Sequence, residues 1–135
     1  MKNDNERKES LGEIIEQINN LLEKHKIVEE LVEKQDVPKQ NLIKNLVNKQ
    51  NINTLRRLLA GLHPADIADI LESLPIEQRL IVWDLVKAEN DGDILVEVSD
   101  VVRQTLIADM DSTELLAAAE QLDTDELADI APDIP

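Results

Sequence analysis

Residues 62–74 read LHPADIADILESL and contain a short helix and the turn that follows it. Pro64 suits the first turn of a helix, because its missing N–H would have no intrahelical partner there. The apolar pair Ile70-Leu71 and the later Leu74 supply a side that must be buried. Pro75 then opens the next helix. A helix of only about two turns is unstable alone, so the surrounding sequence must provide its neighbours.

The pattern of this stretch recurs along most of the chain. A pair of apolar or alanine residues falls at every twelfth position, eight times in all, and cap or turn residues follow several of the pairs. Twelve residues accommodate a helix of about eight or nine residues and a tight turn, and two such units make a helical hairpin. The pairs are Leu46-Val47, Leu58-Leu59, Ile70-Leu71, Val82-Trp83, Ile94-Leu95, Leu106-Ile107, Ala118-Ala119 and Ile130-Ala131.

The repeat predicts an all-α fold, a superhelix of short antiparallel helices that resembles an α-solenoid. Each short helix needs packed neighbours on both sides, which a stack of hairpins provides. A β fold is disfavoured because Phe and Tyr are absent, there are only 3 glycines, and no long alternating run exists. Trp83 occupies one of the paired positions, so we expect it in the core.

A longer amphipathic helix precedes the repeat. Apolar residues keep helical spacing from Leu11 to Val32, and Ser10 with Glu13 fits a capping box at its start. We predict a helix over residues 11–34, broken by Asp36-Val37-Pro38. The expected domains are therefore an N-terminal extension, residues 1–37, and a repeat domain, residues 38–135.

The charge is distributed very unequally along the chain. Residues 1–61 carry 11 basic and 10 acidic side chains, a net charge of +1, whereas residues 62–135 carry 3 basic and 19 acidic ones, a net charge of −16. Nucleic-acid binding is disfavoured, because a phosphate backbone demands a basic surface. No apolar run approaches the roughly 18 residues that a transmembrane helix requires, so we expect no membrane insertion by this segment.

Catalytic chemistry finds little support in the residues. The chain has no cysteine, which excludes thiol nucleophiles, disulfides and zinc–thiolate sites. Neither His25 nor His63 has an evident nucleophile partner, and no phosphate-binding glycine motif exists. We therefore predict that the chain is not an enzyme.

Carboxylates are the remaining candidates for chemistry. Asp125 and Asp129 are i, i+4 neighbours on the last predicted helix, Glu126 lies beside them, and Asp93 sits in a turn-like stretch. Carboxylates without His or Cys suit hard cations such as Mg²⁺, which keeps most of its water and takes one or two protein oxygens. Solvated helix faces with no ligand remain the alternative, because acidic pairs at this spacing are common.

The segment 62–75, LHPADIADILESLP, resembles the signature of the N-terminal domain of MgtE-type magnesium transporters. Residues 122–130, LDTDELADI, repeat it 60 residues later and resemble the acidic repeat of that family. The resemblance covers about residues 51–135. It implies a fold of short helices in a superhelix, in agreement with the repeat.

The resemblance also implies a function at the cytoplasmic face of the cell membrane. In this family the domain precedes paired CBS domains and a dimeric transmembrane pore, which implies a homodimer for the full-length protein. Mg²⁺ bridges acidic residues of this domain and the CBS domains, and the compact state favours a closed pore. By position, Asp93, Asp125 and Asp129 match metal-contacting carboxylates, with Glu126 as a helper. The isolated fragment is expected to bind Mg²⁺ weakly and to be truncated before the CBS domains.

A protein-interaction scaffold is the alternative function. The flagellar motor switch protein has related short-helix repeats and uses them for subunit contacts. On this alternative the chain would act without sensing a metal.

Overall fold

A computed structural model describes the backbone of residues 4–33 and 38–134 and the side chains of residues 10–30 and 48–134. The chain divides into two compact units, Met1–Leu58 and Leu59–Pro135. Every element in the described ranges is an α-helix or a short 3-10 helix, which confirms the all-α prediction. None of the helices in these ranges is long and apolar enough to cross a membrane.

Two long helices supply the first unit. Helix α1 spans Asp4–Glu33 and begins before the predicted start at Leu11, while α2 spans Pro38–Ala60. The prediction of separate short helices around Leu46-Val47 and Leu58-Leu59 is wrong, because α2 is continuous. Its sequence contains no glycine, and no proline after its first residue, so nothing interrupts the helix before Gly61. The predicted break at Asp36-Val37 lies outside the described residues.

The second unit follows the 12-residue period. Successive helical segments, with the 3-10 helix included, begin at residues 64, 76, 88, 100, 112 and 124. Their bounds are α3 Pro64–Ser73, α4 Ile76–Leu85, a 3-10 helix Ala88–Asn90 leading into α5 Asp91–Glu97, α6 Asp100–Ala108, α7 Ser112–Glu120, α8 Thr124–Ile130 and a final 3-10 helix Ala131–Asp133.

Side-chain caps explain why these helices begin where they do. The Nδ1 atom of His63 accepts a hydrogen bond from the backbone N–H of Ala65 at 3.1 Å, next to Pro64. Ser99 caps α6, and Asp111 and Asp123 form complete capping boxes on α7 and α8. The predicted cap and turn positions are thereby confirmed for α3, α6, α7 and α8.

The paired apolar positions form the core of the second unit. Both members of each pair from Ile70-Leu71 to Leu106-Ile107 are buried, and Trp83 is among them as predicted. Helices two repeats apart, a step of 24 residues, pack together: α3 on α5, α5 on α7, and α4 on α6. This is the neighbour pattern of stacked hairpins, while the superhelical sense of the stack stays a prediction.

Two arginines, Arg79 and Arg103, lie 24 residues apart and make equivalent contacts. Arg79 donates from Nε to the carbonyl oxygen of Leu71 at 3.0 Å and from Nη2 to that of Leu74 at 3.1 Å. Arg103 donates from Nε to Leu95 at 2.6 Å and from Nη2 to Val98 at 3.0 Å. Each guanidinium thus binds carbonyls at the end of an earlier helix, where intrahelical donors run out.

Helix α5 approaches α7 closely at Gly92. Its N–H donates to Oε1 of Gln121 at 2.9 Å, and Gln121 in turn donates from Nε2 to the carbonyl of Ala88 at 2.9 Å. A Cβ atom on residue 92 would lie only 2.8 Å from the carbonyl oxygen of Ala118. Only glycine therefore allows this packing distance.

Candidate functional site

The predicted metal carboxylates lie on two helices that pack against each other, α5 and α8. Asp93 is exposed in the first turn of α5, Asp125 is exposed in the first turn of α8, and Asp129 is exposed near the end of α8. The dipole of a helix favours negative side chains at its N-terminal end, which explains why α5 and α8 tolerate Asp93 and Asp125 in their first turns. Their roles as ligands stay predictions.

Glu126 is engaged in a structural role. The side chain of Asp123 accepts from the N–H of Glu126 at 2.8 Å, and Oε1 of Glu126 accepts from the N–H of Asp123 at 3.2 Å. This reciprocal pair begins α8. Glu126 therefore offers a cation at most its second oxygen while the capping box is intact.

The donor set suits a hydrated cation and not a closed metal site. In the part of the chain that the structure describes, no group of three or more His, Asp or Glu side chains comes together in a way that could hold a metal ion. Exposed carboxylates can each give one oxygen to an ion that keeps most of its water, which is the behaviour of Mg²⁺. A second acidic surface would have to supply the other protein oxygens.

A second group of carboxylates, not predicted from the sequence, gathers residues from four elements. Asp84 on α4 shares a hydrogen bond with Asp109 at the end of α6, and Glu114 on α7 acts electrostatically on both Asp84 and Asp91. Desolvation, followed by the hydrogen bond and charge of Asp109, raises the pKa of Asp84 to about 6. Desolvation and the charge of Glu114 raise the pKa of Asp91 to about 7.

These raised pKa values predict that the folded state loses stability as the pH rises from 5 to 8. Asp84 and Asp91 bind protons more tightly in the folded chain than in the unfolded chain, so the free energy of unfolding falls as each carboxyl ionises. Both groups are partly hydrated, which reduces the expected loss to about 1 kcal/mol in total. Urea unfolding at constant ionic strength, at the two pH values, measures it.

Asp91→Asn should remove most of this dependence, and Asp93→Asn is the matched control on the same turn because Asp93 is exposed. The lowered pKa values of Asp111 and Asp133 do not interfere, since their contribution to stability is lost only below about pH 4. A stability that stays level or rises between pH 5 and 8 would contradict the prediction.

Comparison with known proteins identifies one related family. A family model described as the MgtE intracellular N domain matches residues 62–135, which is more than half of the chain. No curated protein and no solved structure matches the chain. The match contains all the predicted metal carboxylates, and it leaves α1 and α2 outside.

Proposed function

Since this chain belongs to the family of MgtE intracellular N domains, we propose that it senses cytosolic Mg²⁺ for the magnesium transporter of which it is a domain. Its partners would be the CBS domains and the transmembrane domain of the same transporter, which would be a homodimer in its full-length form. The family is one of transporter domains, and we propose no catalytic activity.

The observation that carries this proposal is the uncompensated negative charge of the second unit. Residues 62–135 have a net charge of −16, and their only basic residues are Arg79, Lys87 and Arg103. Both arginines bind carbonyl oxygens within the fold. The exposed carboxylates of α5 and α8 therefore face solvent with little positive charge nearby.

Mg²⁺ would act by relieving the electrostatic repulsion between the exposed carboxylates of α5 and α8 and an acidic surface of the CBS domains. At low Mg²⁺ concentration the two surfaces repel each other over about one Debye length, near 8 Å at physiological salt. At high concentration the ion would be held between Asp93, Asp125 or Asp129 and a carboxylate opposite. The resulting compact state would favour the closed pore.

NMR titration with MgCl₂ tests the proposal. In the full-length transporter, or in the chain joined to its CBS domains, the amides of residues 93, 125 and 129 should shift with Mg²⁺. The 135-residue chain alone should show the same shifts only weakly, because it supplies carboxylates on only one side of each ion. Asp93→Asn, Asp125→Asn and Asp129→Asn should each reduce the response.

Two variants serve as controls for this titration. Asp69→Asn removes an exposed carboxylate from α3, a helix that carries none of the predicted ligands, and should leave the response intact. Glu126→Gln keeps the capping box, since glutamine can also accept from the N–H of Asp123. A change in its Mg²⁺ response would therefore report the loss of the carboxylate charge and not of the helix start. If residues 93, 125 and 129 give no shift at high millimolar Mg²⁺ with the CBS domains present, the Mg²⁺ role is wrong.

A protein-interaction scaffold is the second candidate, favoured by an apolar groove between α4 and α6. The groove has a volume of about 420 Å³, and Ile76 and Val101 on its edges are 53% and 71% exposed. Domain association that persists in EDTA and is lost on Val101→Glu would support this alternative over Mg²⁺ sensing.

A further inference from the structure

The apolar groove between α4 and α6 has the shape of a seat for a third helix. Ile76 and Leu80 lie one turn apart on α4, and Val101 and Ala108 lie two turns apart on α6. Each helix thus presents a row of apolar side chains to the groove. We call it the α4–α6 groove. An amphipathic helix fits such a groove, because its own apolar face can pack between the two rows.

The α4–α6 groove holds two of the large apolar side chains that are most exposed in the second unit. Ile76 and Val101 are both more than half exposed, although they lie on helices that pack together. A single exposed apolar side chain is ordinary, whereas neighbouring ones on two helices form a patch that marks a binding surface.

Carboxylates lie at one end of this groove. Asp109 follows α6 and lines the groove, and its side chain shares a hydrogen bond with Asp84 on α4. A hydrogen bond between two carboxyl groups requires that one of them keeps its proton. Glu114 on α7 adds a further negative charge. The shared proton therefore occupies the place that a cation would take between two carboxylates.

The arginines of the two helices are occupied elsewhere. Arg79 of α4 binds two carbonyl oxygens and a threonine hydroxyl, and Arg103 of α6 binds carbonyl oxygens and two other aspartates. Among the described residues, the charged groups that act on Asp84 are Asp109 and Glu114, and none lies on α3, the other helix that packs against α4. The acidic end of the groove thus lacks a basic partner from these helices.

We propose that the α4–α6 groove binds an amphipathic helix of a partner protein, which places an arginine or lysine against Asp84 and Asp109. Charge complementarity selects this occupant. A second copy is disfavoured because two copies of residues 62–135 carry −16 each, and an anionic lipid would bring a further negative charge. Arginine suits the site best, because its planar fork can bind carboxylates through two parallel hydrogen bonds.

The proposal deepens the scaffold function, the second candidate above, and rests on it and not on the Mg²⁺ role. The groove lies between α4 and α6, whereas the predicted metal ligands lie on α5 and α8. Peptide binding measured in EDTA therefore tests the groove alone. A failed Mg²⁺ titration would leave the expected binding unchanged, and failed binding would leave the expected titration unchanged.

Fluorescence anisotropy with synthetic peptides tests the proposal on the full chain. The probe is a labelled peptide of about 16 residues, made of leucine, alanine and arginine, with its leucines on one helical face. We expect it to bind at least about tenfold more tightly than a peptide of the same composition whose leucines are spread around the helix. A version with glutamate in place of arginine should bind more weakly by at least the same factor.

Variants of the chain locate the binding site. Val101→Ser should weaken binding by about tenfold, because it removes apolar contact without adding charge, and Leu116→Ser on α7 is its matched control at 62% exposure. Asp109→Asn should weaken binding by a similar factor. Asp69→Asn removes the same charge from α3 and should change the affinity by less than about twofold. Circular dichroism establishes that each variant keeps its helices.

The pH dependence of binding distinguishes the carboxyl pair from general attraction. Burial, followed by the hydrogen bond and charge of Asp109, raises the pKa of Asp84 to about 6, so the pair keeps its proton near pH 5. An arginine must displace that proton, and the affinity should therefore rise by about threefold to tenfold between pH 5 and 8. Asp109→Asn should remove most of this rise.

Three results would overturn the proposal. The first is equal binding of the glutamate peptide or of the peptide without an apolar face. The second is an equal effect of Asp109→Asn and Asp69→Asn on the affinity. The third is a dimer in sedimentation equilibrium that Val101→Ser dissociates, because a second copy of the chain would then occupy the α4–α6 groove.

Discussion

Replacing Arg103 with alanine is expected to lower the free energy of unfolding of the second unit by about 3–5 kcal/mol. The side chain is buried, at 6% exposure, and makes five hydrogen bonds. Urea unfolding followed by the fluorescence of Trp83, the single tryptophan, measures the loss because Trp83 lies in the core of the same unit.

The size of this effect follows from what the alanine would leave behind. The guanidinium donates to the carbonyl oxygens of Leu95, Val96 and Val98, which end α5 and have no helical donors of their own. It also donates to Asp100 at 2.8 Å and to Asp133 at 3.0 Å. Removing it unpairs three carbonyls and leaves the hydrogen bond from Gln104 to Asp133, at 3.1 Å, to join the final 3-10 helix to α6.

Two controls distinguish the hydrogen bonds of Arg103 from its charge. Arg103→Lys keeps the charge but has no planar fork to reach several acceptors at once, so it should recover less than half of the loss. Lys87→Ala removes an exposed basic residue of the same unit and should change stability by less than about 0.5 kcal/mol. A loss below about 1 kcal/mol for Arg103→Ala would show that water replaces the guanidinium at those carbonyls.

The helices of the repeat could be predicted from the sequence, whereas the contacts of its two arginines could not. The 12-residue spacing predicted the helices from Pro64 onward, because each repeat carries its own apolar or alanine pair and four of the six begin at a side-chain cap. The 24-residue separation of Arg79 and Arg103 is evident in the sequence, but the burial of Arg103 is not predicted by it. A charged residue inside the core becomes understandable only when the helix ends that it binds are known.

In the first unit, the 12-residue repeat of apolar pairs led to a wrong prediction of short helices. The pairs Leu46-Val47 and Leu58-Leu59 keep the 12-residue step, but no proline or glycine separates them, and the Asn and Thr residues between them lie inside the continuous α2. Spacing of apolar residues indicates which side is buried, whereas cap and turn residues determine where a helix ends. The repeat therefore begins structurally at Pro64, not at Leu46.

The candidate site divides along similar lines. Sequence spacing correctly placed Asp125 and Asp129 on one helix. The expectation that Asp93 sits in a turn-like stretch is wrong, because residue 93 lies in the first turn of α5. The capping role of Glu126 was masked by its position among other acids, although Asp123 three residues earlier is the signature of a capping box. The group around Asp84 and Asp91 could not be foreseen, because its members come from four elements that only the fold brings together.

Gly92→Ala is expected to destabilise the second unit by about 2 kcal/mol, although alanine is the better helix former by up to about 1 kcal/mol. The reason is steric. The new Cβ would lie 2.8 Å from the carbonyl oxygen of Ala118 and 2.9 Å from Oε1 of Gln121. The glutamine can rotate away, but the backbone of α7 can yield only if the whole helix moves from α5.

Trp83 fluorescence during urea unfolding also measures this change, and Gly12→Ala is its matched control. Gly12 lies in α1 with nothing within 4 Å of an added Cβ, so the same substitution there should increase helicity and stabilise the first unit by about 0.5–1 kcal/mol, which circular dichroism measures, and should leave the Trp83 transition unchanged. The double variant Gly92→Ala, Gln121→Ala removes the glutamine contact and leaves the contact with Ala118. If α7 is the obstacle, the added alanine at position 92 should remain destabilising relative to Gln121→Ala alone. A Gly92→Ala chain as stable as the parent would mean that α5 and α7 are free to separate, which would contradict the close packing on which this part of the fold depends.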